Sequence, residues 1–463
     1  MKHLFAVLAL TAGLLAAPPQ PARAGGAPQV TSVCYAFGLN CNPVPADGII
    51  DYVSPLVFTF SSPVQPKAIA TMLKITPGAK LLVTAPLGAY RVAVRWHRLL
   101  GTQYHVSIGS YTIAVSAPSS VSIPKRTYAN DRPYFYGLML HPSAFKSAAR
   151  VALLSAAQKA GIQFVRAEYF GRSLWPGRKG DLNGADAHWQ TEDGIVNALA
   201  AHAITEMPTC LQYGIPSWEG PGTAIWQSPR DYARFCGLVA AHLRAFHPNV
   251  RRIELMNEPN QAYWWAGAPA EYASDDGTAT AAYLKSAYAA VKRNNPSLTV
   301  VGPGLASGGP QHHPFPDFLT NLYAAGCRTG VCWDVLSVHV YPWATDPTTP
   351  EPATDEGQFG NDKLALAIAD ANHDTATHIM ITEFAYSTDP GPFGVEPPVQ
   401  ALFTALALNA FGSDPRIDGV VYSDLYDGED HGPLYGTDGL GIVNGRTFLP
   451  KPSFSVYERF THP

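Results

Sequence analysis

The chain has 463 residues, of which 46% are hydrophobic and 15% are charged. This composition is typical of a globular protein with a large core and excludes a disordered chain. The formal net charge is −4, from 32 basic and 36 acidic residues, which excludes a strongly basic surface for nucleic acid. The length suggests two or three domains, although one α/β barrel can occupy about 250 residues or more.

Residues 1–24 have the pattern of a signal peptide. Lys2 gives a charged start, residues 4–17 form an apolar run, and residues 22–24, Ala-Arg-Ala, form a small-x-small cleavage site. Cleavage removes Lys2 and Arg23, which leaves 30 basic and 36 acidic residues, a net charge of −6. The apolar run is too short for a membrane span, so we expect a secreted or periplasmic protein. An uncleaved anchor is the alternative.

Six cysteines in an exported chain suggest disulfides. Cys210 and Cys236 fall on a predicted strand and the helix after it, where a disulfide and two buried free thiols both remain open. The pairs close enough in sequence to close small loops are Cys34 with Cys41 and Cys327 with Cys332.

Residues 25–130 are predicted to form a small all-β domain and a linker. Strand-like runs at 56–60, 91–96 and 104–108 are separated by proline and glycine turns, which favours an antiparallel sandwich. Residues 58–64, Phe-Thr-Phe-Ser-Ser-Pro-Val, precede a helical stretch and Ile-Thr-Pro-Gly, and this order resembles a bacterial Ig-like domain. The resemblance implies a spacer or packing role, with sugar binding as the alternative. The segment from Ala117 to about Asn130 is predicted to be the linker.

From Tyr134 the pattern changes to strands that alternate with helices. Eight such pairs favour a (β/α)8 TIM barrel over residues 131–463. One helix is predicted over residues 144–160, with Val151, Leu154 and Ala157 on its buried face. The predicted strands cover residues 135–140, 164–168, 207–212, 253–256, 299–302, 335–340, 378–382 and 419–422.

Two of these strands lead into a glutamate. Residues 253–256 precede Asn257, Glu258 and Pro259, and the proline stops the strand because it cannot donate to a ladder. The strand at 378–382 precedes Glu383. Since the carboxyl ends of barrel strands carry the chemistry, we expect both carboxylates at the barrel mouth. Two carboxyl groups about 5–5.5 Å apart can hydrolyse a glycosidic bond with retention. A structural salt bridge is the alternative role for either glutamate alone.

A strand with Asn-Glu-Pro followed by a later strand with Thr-Glu-Phe resembles the clan A retaining glycoside hydrolases, which are TIM barrels. The resemblance implies that Glu258 is the acid/base and Glu383 the nucleophile. It also implies that Asn257 binds the sugar 2-hydroxyl and that Arg166, at the end of the second strand, keeps Glu383 ionised. The alternatives are a turn-forming asparagine and a surface arginine.

His339 and Tyr341 are two residues apart on the sixth strand, so they share the face toward the barrel mouth. Similar His-x-Tyr pairs in clan A enzymes flank the nucleophile, and the tyrosine is hydrogen-bonded to it. The resemblance implies the same arrangement around Glu383, with a satisfied core histidine as the alternative. No Cys/His cluster at ligand spacing appears in the sequence, so we expect no metal and no cofactor.

Aromatic side chains in the predicted loops are candidates for stacking on sugar rings. Trp218 and the pair Trp264-Trp265 are favoured, with ordinary barrel packing as the alternative. Many clan A members place a tryptophan at the end of the eighth strand as the floor of the central subsite. Here Tyr422 is expected to substitute for it. Residues 439–442, Gly-Leu-Gly-Ile, with the later Lys-Pro, resemble the closing segment of the family 39 type of barrel. The remaining loop aromatics are Trp175, Trp189, Trp226, Tyr263 and Trp343.

We therefore expect a retaining glycoside hydrolase that cleaves an oligo- or polysaccharide. One alternative is a non-catalytic carbohydrate-binding protein on a barrel scaffold. Another is an adhesive or structural surface protein led by the N-terminal domain. The pair of strand-end glutamates, together with Arg166 and Tyr341, favours the enzyme.

Overall fold

A computed structural model describes most of the chain. The predicted signal peptide lies outside the described residues. Among the described helices, none combines the length and the hydropathy that a membrane crossing requires. The described residues are 28–37, 40–84, 89–129, 134–140, 150–175, 187–216, 225–265, 276–306, 313–342, 347, 359–389, 391, 393–427, 439–445, 447 and 449–462.

Two antiparallel sheets and one short helix form the N-terminal domain. The larger sheet has the order β2-β1-β3-β6-β5 and the smaller one β4-β7-β8. Leu56, Phe58 and Val94 of the larger sheet meet Val106 and Val115 of the smaller one in a shared core, so the predicted sandwich is present. The Ig-like resemblance stays a prediction. The elements are β1 Val30–Phe37, β2 Asn40–Pro43, β3 Leu56–Phe60, α1 Pro66–Met72, β4 Leu73–Thr76, β5 Leu81–Thr84, β6 Arg91–Trp96, β7 Gln103–Ile108 and β8 Tyr111–Ser116.

Eight parallel strands form a barrel in the rest of the chain, and every predicted strand is confirmed. Consecutive strands are neighbours, the last pairs with the first, and a parallel bridge from Val301 to Val335 joins the fifth to the sixth. The strands are β9 Phe135–Met139, β10 Phe164–Tyr169, β11 Thr205–Cys210, β12 Arg252–Leu255, β13 Thr299–Val301, β14 Leu336–Val340, β15 Ile379–Phe384 and β16 Ile417–Tyr422.

Helices connect these strands and cover the outside of the barrel. Val151 is 63% exposed, so its assignment to a buried helix face is wrong. Leu153, Leu154 and Ala157 form that face, whereas Val151, in the first turn of the described helix, faces solvent. The helices are α2 Arg150–Lys159, α3 Gly171–Leu174, α4 Gln190–Ala200, α5 Pro229–Phe246, α6 Thr278–Asn294, α7 Phe315–Ala324, α8 Asn361–Ala371, α9 Pro397–Ser413 and α10 Pro452–Thr461.

The interior of the barrel is filled by side chains from its strands. A second, larger core lies between the strands and the helices. Because strand side chains alternate, each strand contributes to both layers. The filled interior leaves the strand ends as the place for a site. The inner layer consists of Met139, Phe164, Met207, Val301, Val335, Met380 and Val421.

The cysteines form two disulfides, and both are pairs that the sequence predicted from their proximity. Cys210 and Cys236 are buried free thiols, which decides between the two alternatives left open for them. The disulfides are Cys34–Cys41 and Cys327–Cys332.

Candidate active site

Glu383 reaches the barrel mouth because β15 contains one extra residue. His339 of β14 pairs with Glu383, whereas the residue before His339 pairs with Ile381, so Thr382 is the insertion. The pairing of β15 with β16 contains the same insertion. Met380 faces the barrel interior, so strict alternation would turn Glu383 outward. The bulge reverses this and re-aims the carboxylate inward.

Glu258 lies just beyond β12, in a turn with unusual backbone angles. Met256 and Glu258 have φ values of 66° and 48°, a left-handed conformation that residues other than glycine rarely adopt. The side chain of Gln212 holds this turn. Its Nε2 donates to the carbonyl of Asn257 at 2.5 Å, and its Oε1 accepts from the backbone N–H of Asn257 at 2.9 Å. Such strain persists only where the surroundings fix it, and it concentrates at functional sites.

The two glutamates face each other across the barrel mouth, with His339 between them. Nδ1 of His339 is 3.0 Å from Oε1 of Glu258 and 3.3 Å from Oε2 of Glu383. One carboxylate oxygen of each glutamate and the histidine nitrogen all lie within 4.8 Å of one another. An oxygen–oxygen separation this short favours the carboxyl spacing of about 5–5.5 Å in retaining glycosidases over the spacing of about 6.5–9.5 Å in inverting ones.

Both oxygens of Glu383 accept hydrogen bonds from groups that the sequence singled out. Nη1 of Arg166 donates to Oε1 at 2.7 Å, and the hydroxyl of Tyr341 donates to Oε2 at 2.7 Å.

Glu258, His339 and Glu383 are near enough to ligate a metal ion, but Arg166 places a positive charge against the carboxylate of Glu383. The absence of a metal from the reaction therefore stays a prediction.

Arg166 is fully buried and holds three groups of the site at once. Its Nε donates to Glu254 at 2.5 Å and its Nη2 to Oδ1 of Asn257 at 2.8 Å, in addition to the bond to Glu383. Burial alone would lower the pKa of Arg166, but the carboxylates of Glu254 and Glu383 raise it above its ordinary value. The surface-arginine alternative is therefore wrong, because the guanidinium lies inside the barrel.

Glu254 is a residue of the site that the sequence analysis did not single out. It is fully buried in β12 and accepts from the hydroxyls of Thr209 at 2.8 Å and Ser337 at 3.1 Å. A Cβ at position 304 would lie 3.1 Å from Oε1 of Glu254 and 2.6 Å from Nε2 of His339, so only glycine fits there. The sequence did contain a signal for Glu254, namely a carboxylate between the apolar residues of a buried strand. A buried charge is tolerated only where hydrogen-bond or ionic partners surround it.

His339 and Tyr341 both point into the mouth, as their spacing predicted. Burial alone would lower the pKa of His339, but Glu383 and Glu258 raise it. Burial, reinforced by Glu383, raises the pKa of Tyr341 well above its ordinary value, so its hydroxyl remains a neutral donor. A satisfied core histidine would not need two carboxylate neighbours, which favours the site role for His339.

Tyr422 does not reach the mouth. It is fully buried and lies edge-on to Phe384 and Tyr457, with ring centroids 5.7 and 5.8 Å away. Because Val421 faces the barrel interior, alternation turns Tyr422 outward to the helices. The expectation that Tyr422 forms the floor of a sugar subsite is therefore wrong.

Of the tryptophans predicted to stack on sugar, only Trp265 has a side chain among the described residues. Trp218 lies outside the described residues. Trp264 lies in the short 3-10 helix Ala262–Trp265, and its side chain is outside the described part. Trp265 is buried and donates Nε1 to the carbonyl of Pro259 at 2.6 Å, so it supports the turn after Glu258. Other loop tryptophans that are buried in the helical core are Trp175 and Trp226.

Comparison with known proteins rests on the fold, because no family model and no curated protein matches the chain. The structure is similar to a family 39 glycoside hydrolase from the gut symbiont Bacteroides cellulosilyticus WH2. The TM-score is 0.52 and the identity 17%, over 84% of this chain and 76% of that one. A monomeric beta-xylosidase from Caulobacter crescentus CB15 is similar with a TM-score of 0.51 and 19% identity, over 72% and 69% of the two chains. Native xylanase 10B from Thermotoga maritima is similar with a TM-score of 0.50 and 12% identity, over 71% of this chain and 95% of that one.

These likenesses establish the fold as a (β/α)8 barrel. Sequence identities of 12–19% support a shared fold only. The roles of individual residues rest on the geometry described above.

Proposed function

We propose that the chain is a retaining glycoside hydrolase that cleaves an oligo- or polysaccharide by double displacement. The observation that carries this proposal is the closeness of Glu258 and Glu383 across the barrel mouth, where one carboxylate oxygen of each lies within 4.8 Å of the other. The two carboxylates end strands of the fold that solved glycoside hydrolases share. A carbohydrate-binding protein without activity would not need this pair.

In the first step Glu258 donates its proton to the glycosidic oxygen while a carboxylate oxygen of Glu383 attacks the anomeric carbon. The glycosidic bond breaks, the alcohol leaves, and a covalent glycosyl–Glu383 ester remains. In the second step Glu258 takes a proton from water, whose oxygen attacks the same carbon and displaces Glu383. Two inversions give net retention, and both carboxyl groups return to their starting states.

The surrounding residues prepare Glu383 for this role. Arg166 and Tyr341 donate to separate oxygens of the carboxylate, which favours its ionised form and fixes its orientation. The same donors would stabilise the carboxylate as it leaves in the second step. Asn257 accepts from Arg166 through Oδ1 and donates one Nδ2 hydrogen to the hydroxyl of Tyr213 at 3.3 Å. The second Nδ2 hydrogen would bind the sugar 2-hydroxyl.

We further propose that the enzyme acts outside the cytoplasm on a carbohydrate substrate. The signal-peptide pattern of residues 1–24 supports export. Two disulfides, Cys34–Cys41 and Cys327–Cys332, also fit an oxidising compartment.

The test is hydrolysis of a polysaccharide panel, read as release of reducing ends, by the wild type and by E258Q and E383Q. We expect each variant to lose at least about 10³-fold in kcat/KM, because each removes one of the two carboxyl groups that the reaction steps require. The control is E458Q on α10, whose carboxylate is 34% exposed and 4.0 Å from Lys159. Circular dichroism would verify the folds. Loss in only one catalytic variant would break the pair assignment, and a wild type that binds but never cleaves would favour the carbohydrate-binding alternative.

The stereochemistry tests the carboxylate spacing separately. Proton NMR of the first-formed product should detect the anomer of the substrate before mutarotation. Initial accumulation of the opposite anomer would indicate an inverting site and remove the nucleophile role from Glu383.

A further inference from the structure

A second group of metal-ligating side chains lies away from the barrel mouth, between α4 and the end of α5. Nε2 of His242 and Nε2 of His247 each lie 2.7 Å from the same atom, Oδ1 of Asp193. One ligand atom from each of the three residues lies within 4.8 Å of the others. We call these three residues the α4–α5 cluster. None of them belongs to the candidate active site.

The surroundings of the α4–α5 cluster hold its rings in place. The side chains of His242 and His247 are 10% and 8% exposed, whereas that of Asp193 is 34% exposed. Trp189 stacks flat on the ring of His242, with centroids 3.8 Å apart and an interplanar angle of 8°. Phe246 contacts the same ring at 4.7 Å. The two imidazoles are therefore preoriented, and the carboxylate side remains open to solvent.

The donor set selects a class of ion. Two imidazole nitrogens and one carboxylate oxygen suit zinc and related divalent transition metals, whereas calcium and magnesium prefer sites built from oxygen. Around a tetrahedral ion with bonds of about 2.0–2.2 Å, neighbouring ligand atoms lie about 3.3 Å apart. The observed 2.7 Å separations therefore need to open by about 0.6 Å. Rotation of the partly exposed Asp193 side chain can supply that change.

We propose that Asp193, His242 and His247 bind one divalent transition-metal ion of the zinc class, with water as the fourth ligand. The ion would join α4 to the end of α5, since Asp193 lies in the first turn of α4, His242 in the C-terminal part of α5 and His247 directly after that helix. The site is structural, because it shares no residue with the proposed hydrolytic machinery. Failure of this proposal would leave the proposed hydrolase unaffected.

The alternative is a cluster held by hydrogen bonds alone, in which both histidines donate to the one aspartate oxygen. Such a cluster would give no saturable zinc binding. It would also be indifferent to chelators, whereas an ion that binds only the folded state raises Tm by mass action.

The full-length protein is treated with a chelator, dialysed and titrated with zinc chloride in a calorimeter. We expect one site with a Kd below about 10 µM and no comparable site for magnesium or calcium. Excess zinc should raise Tm by about 2–5 °C. D193N, H242Q and H247Q should each weaken zinc binding at least about tenfold. Their folds are verified by circular dichroism without metal.

Two controls separate this site from other histidines and carboxylates. H378Q removes the histidine that lies 2.8 Å from Asp418, a pair with only one imidazole, and should leave zinc binding unchanged. The E258Q/E383Q double variant removes the carboxylates of the barrel mouth and should retain the one site. Absence of zinc binding in the wild type overturns the proposal, as does binding that persists undiminished in the H242Q/H247Q double variant.

Discussion

Arg166 is the residue on which the geometry of the barrel mouth depends most. Its three nitrogens donate to Glu254, Asn257 and Glu383 at 2.5, 2.8 and 2.7 Å, all inside the barrel. The planar guanidinium can satisfy three acceptors in fixed directions, whereas a lysine ammonium is a point charge on a flexible stem. The three acceptors come from two different strand ends, so their relative positions depend on this one side chain.

We expect R166K to reduce kcat/KM at least about 100-fold and to lower Tm by several degrees. The buried carboxylates would lose partners, and breaking a buried ion pair typically costs about 3–5 kcal/mol. The control is R416K, because Arg416 also pairs with a carboxylate, at 2.8 Å to both oxygens of Asp370, but at a partly exposed site. Surface pairs are worth about 1 kcal/mol or less. Equal effects of the two substitutions, in steady-state kinetics and thermal unfolding, would contradict the role given to Arg166.

At the scale of elements, α8 begins with a buried acid. Asp362 lies in the first turn of α8 and is 3% exposed. Burial raises the pKa of Asp362 to about 6 from an ordinary value of 3.8. The folded state therefore favours the protonated form. The stabilisation from this proton is complete below about pH 4 and is lost as pH rises to about 6.

We expect D362N to be more stable than the wild type above pH 6, by up to about 3 kcal/mol, and equal to it near pH 4. Asparagine is neutral throughout, so the variant should lose the wild-type slope of stability between pH 4 and 6. Urea unfolding at several pH values measures this. The control is D317N in the first turn of α7, where the aspartate is exposed. A wild type and D362N with parallel pH profiles would show that Asp362 ionises normally.

At the scale of the whole molecule, the segment between the two domains belongs structurally to the barrel. The backbone N–H of Thr127 donates to Asn409 of α9 at 2.7 Å, and Nη1 of Arg126 donates to the carbonyl of Phe460 at 2.9 Å. The ring of Tyr128 packs directly on Gly412 of α9. A Cβ at position 412 would lie 2.2 Å from that ring. The sandwich itself also contacts the barrel, since the backbone N–H of Leu100 donates at 2.6 Å to the carboxylate of Glu396, the residue before α9.

We propose that residues 118–463 form the smallest stable hydrolase and that the predicted boundary at residue 131 cuts off part of it. A fragment of residues 118–463 should fold and hydrolyse, because eight strand–helix pairs already close the barrel. A fragment of residues 131–463 should have a Tm lower by at least about 5 °C, since it loses several buried contacts. Calorimetry of both fragments measures the difference. Equal Tm values would remove any role for the linker, and insolubility of both would show that the sandwich covers essential barrel surface.

The sequence by itself determined the order of the eight barrel strands and placed their ends to within two residues. Strand and helix periodicities are local, so all eight barrel strands could be predicted. A proline after Glu258 and an apolar run before Glu383 mark strand ends for equally local reasons. The two disulfides join cysteines 7 and 5 positions apart, a spacing that needs no tertiary information.

Only the tertiary structure decided which way side chains face and which distant residues meet. The extra residue at Thr382 turns Glu383 inward, and a bulge is set by pairing with neighbouring strands that the sequence of β15 alone does not contain. Tyr422 faces the helices because its neighbour Val421 faces the barrel interior and adjacent strand residues point to opposite sides. The partners of Glu254 and the meeting of Asp193 with His242 and His247, 49 and 54 positions away, depend on how strands and helices are arranged around the barrel. Burial and neighbouring charges then shift the pKa of groups such as Asp362 and His339, because a group out of water takes its protonation state from its surroundings.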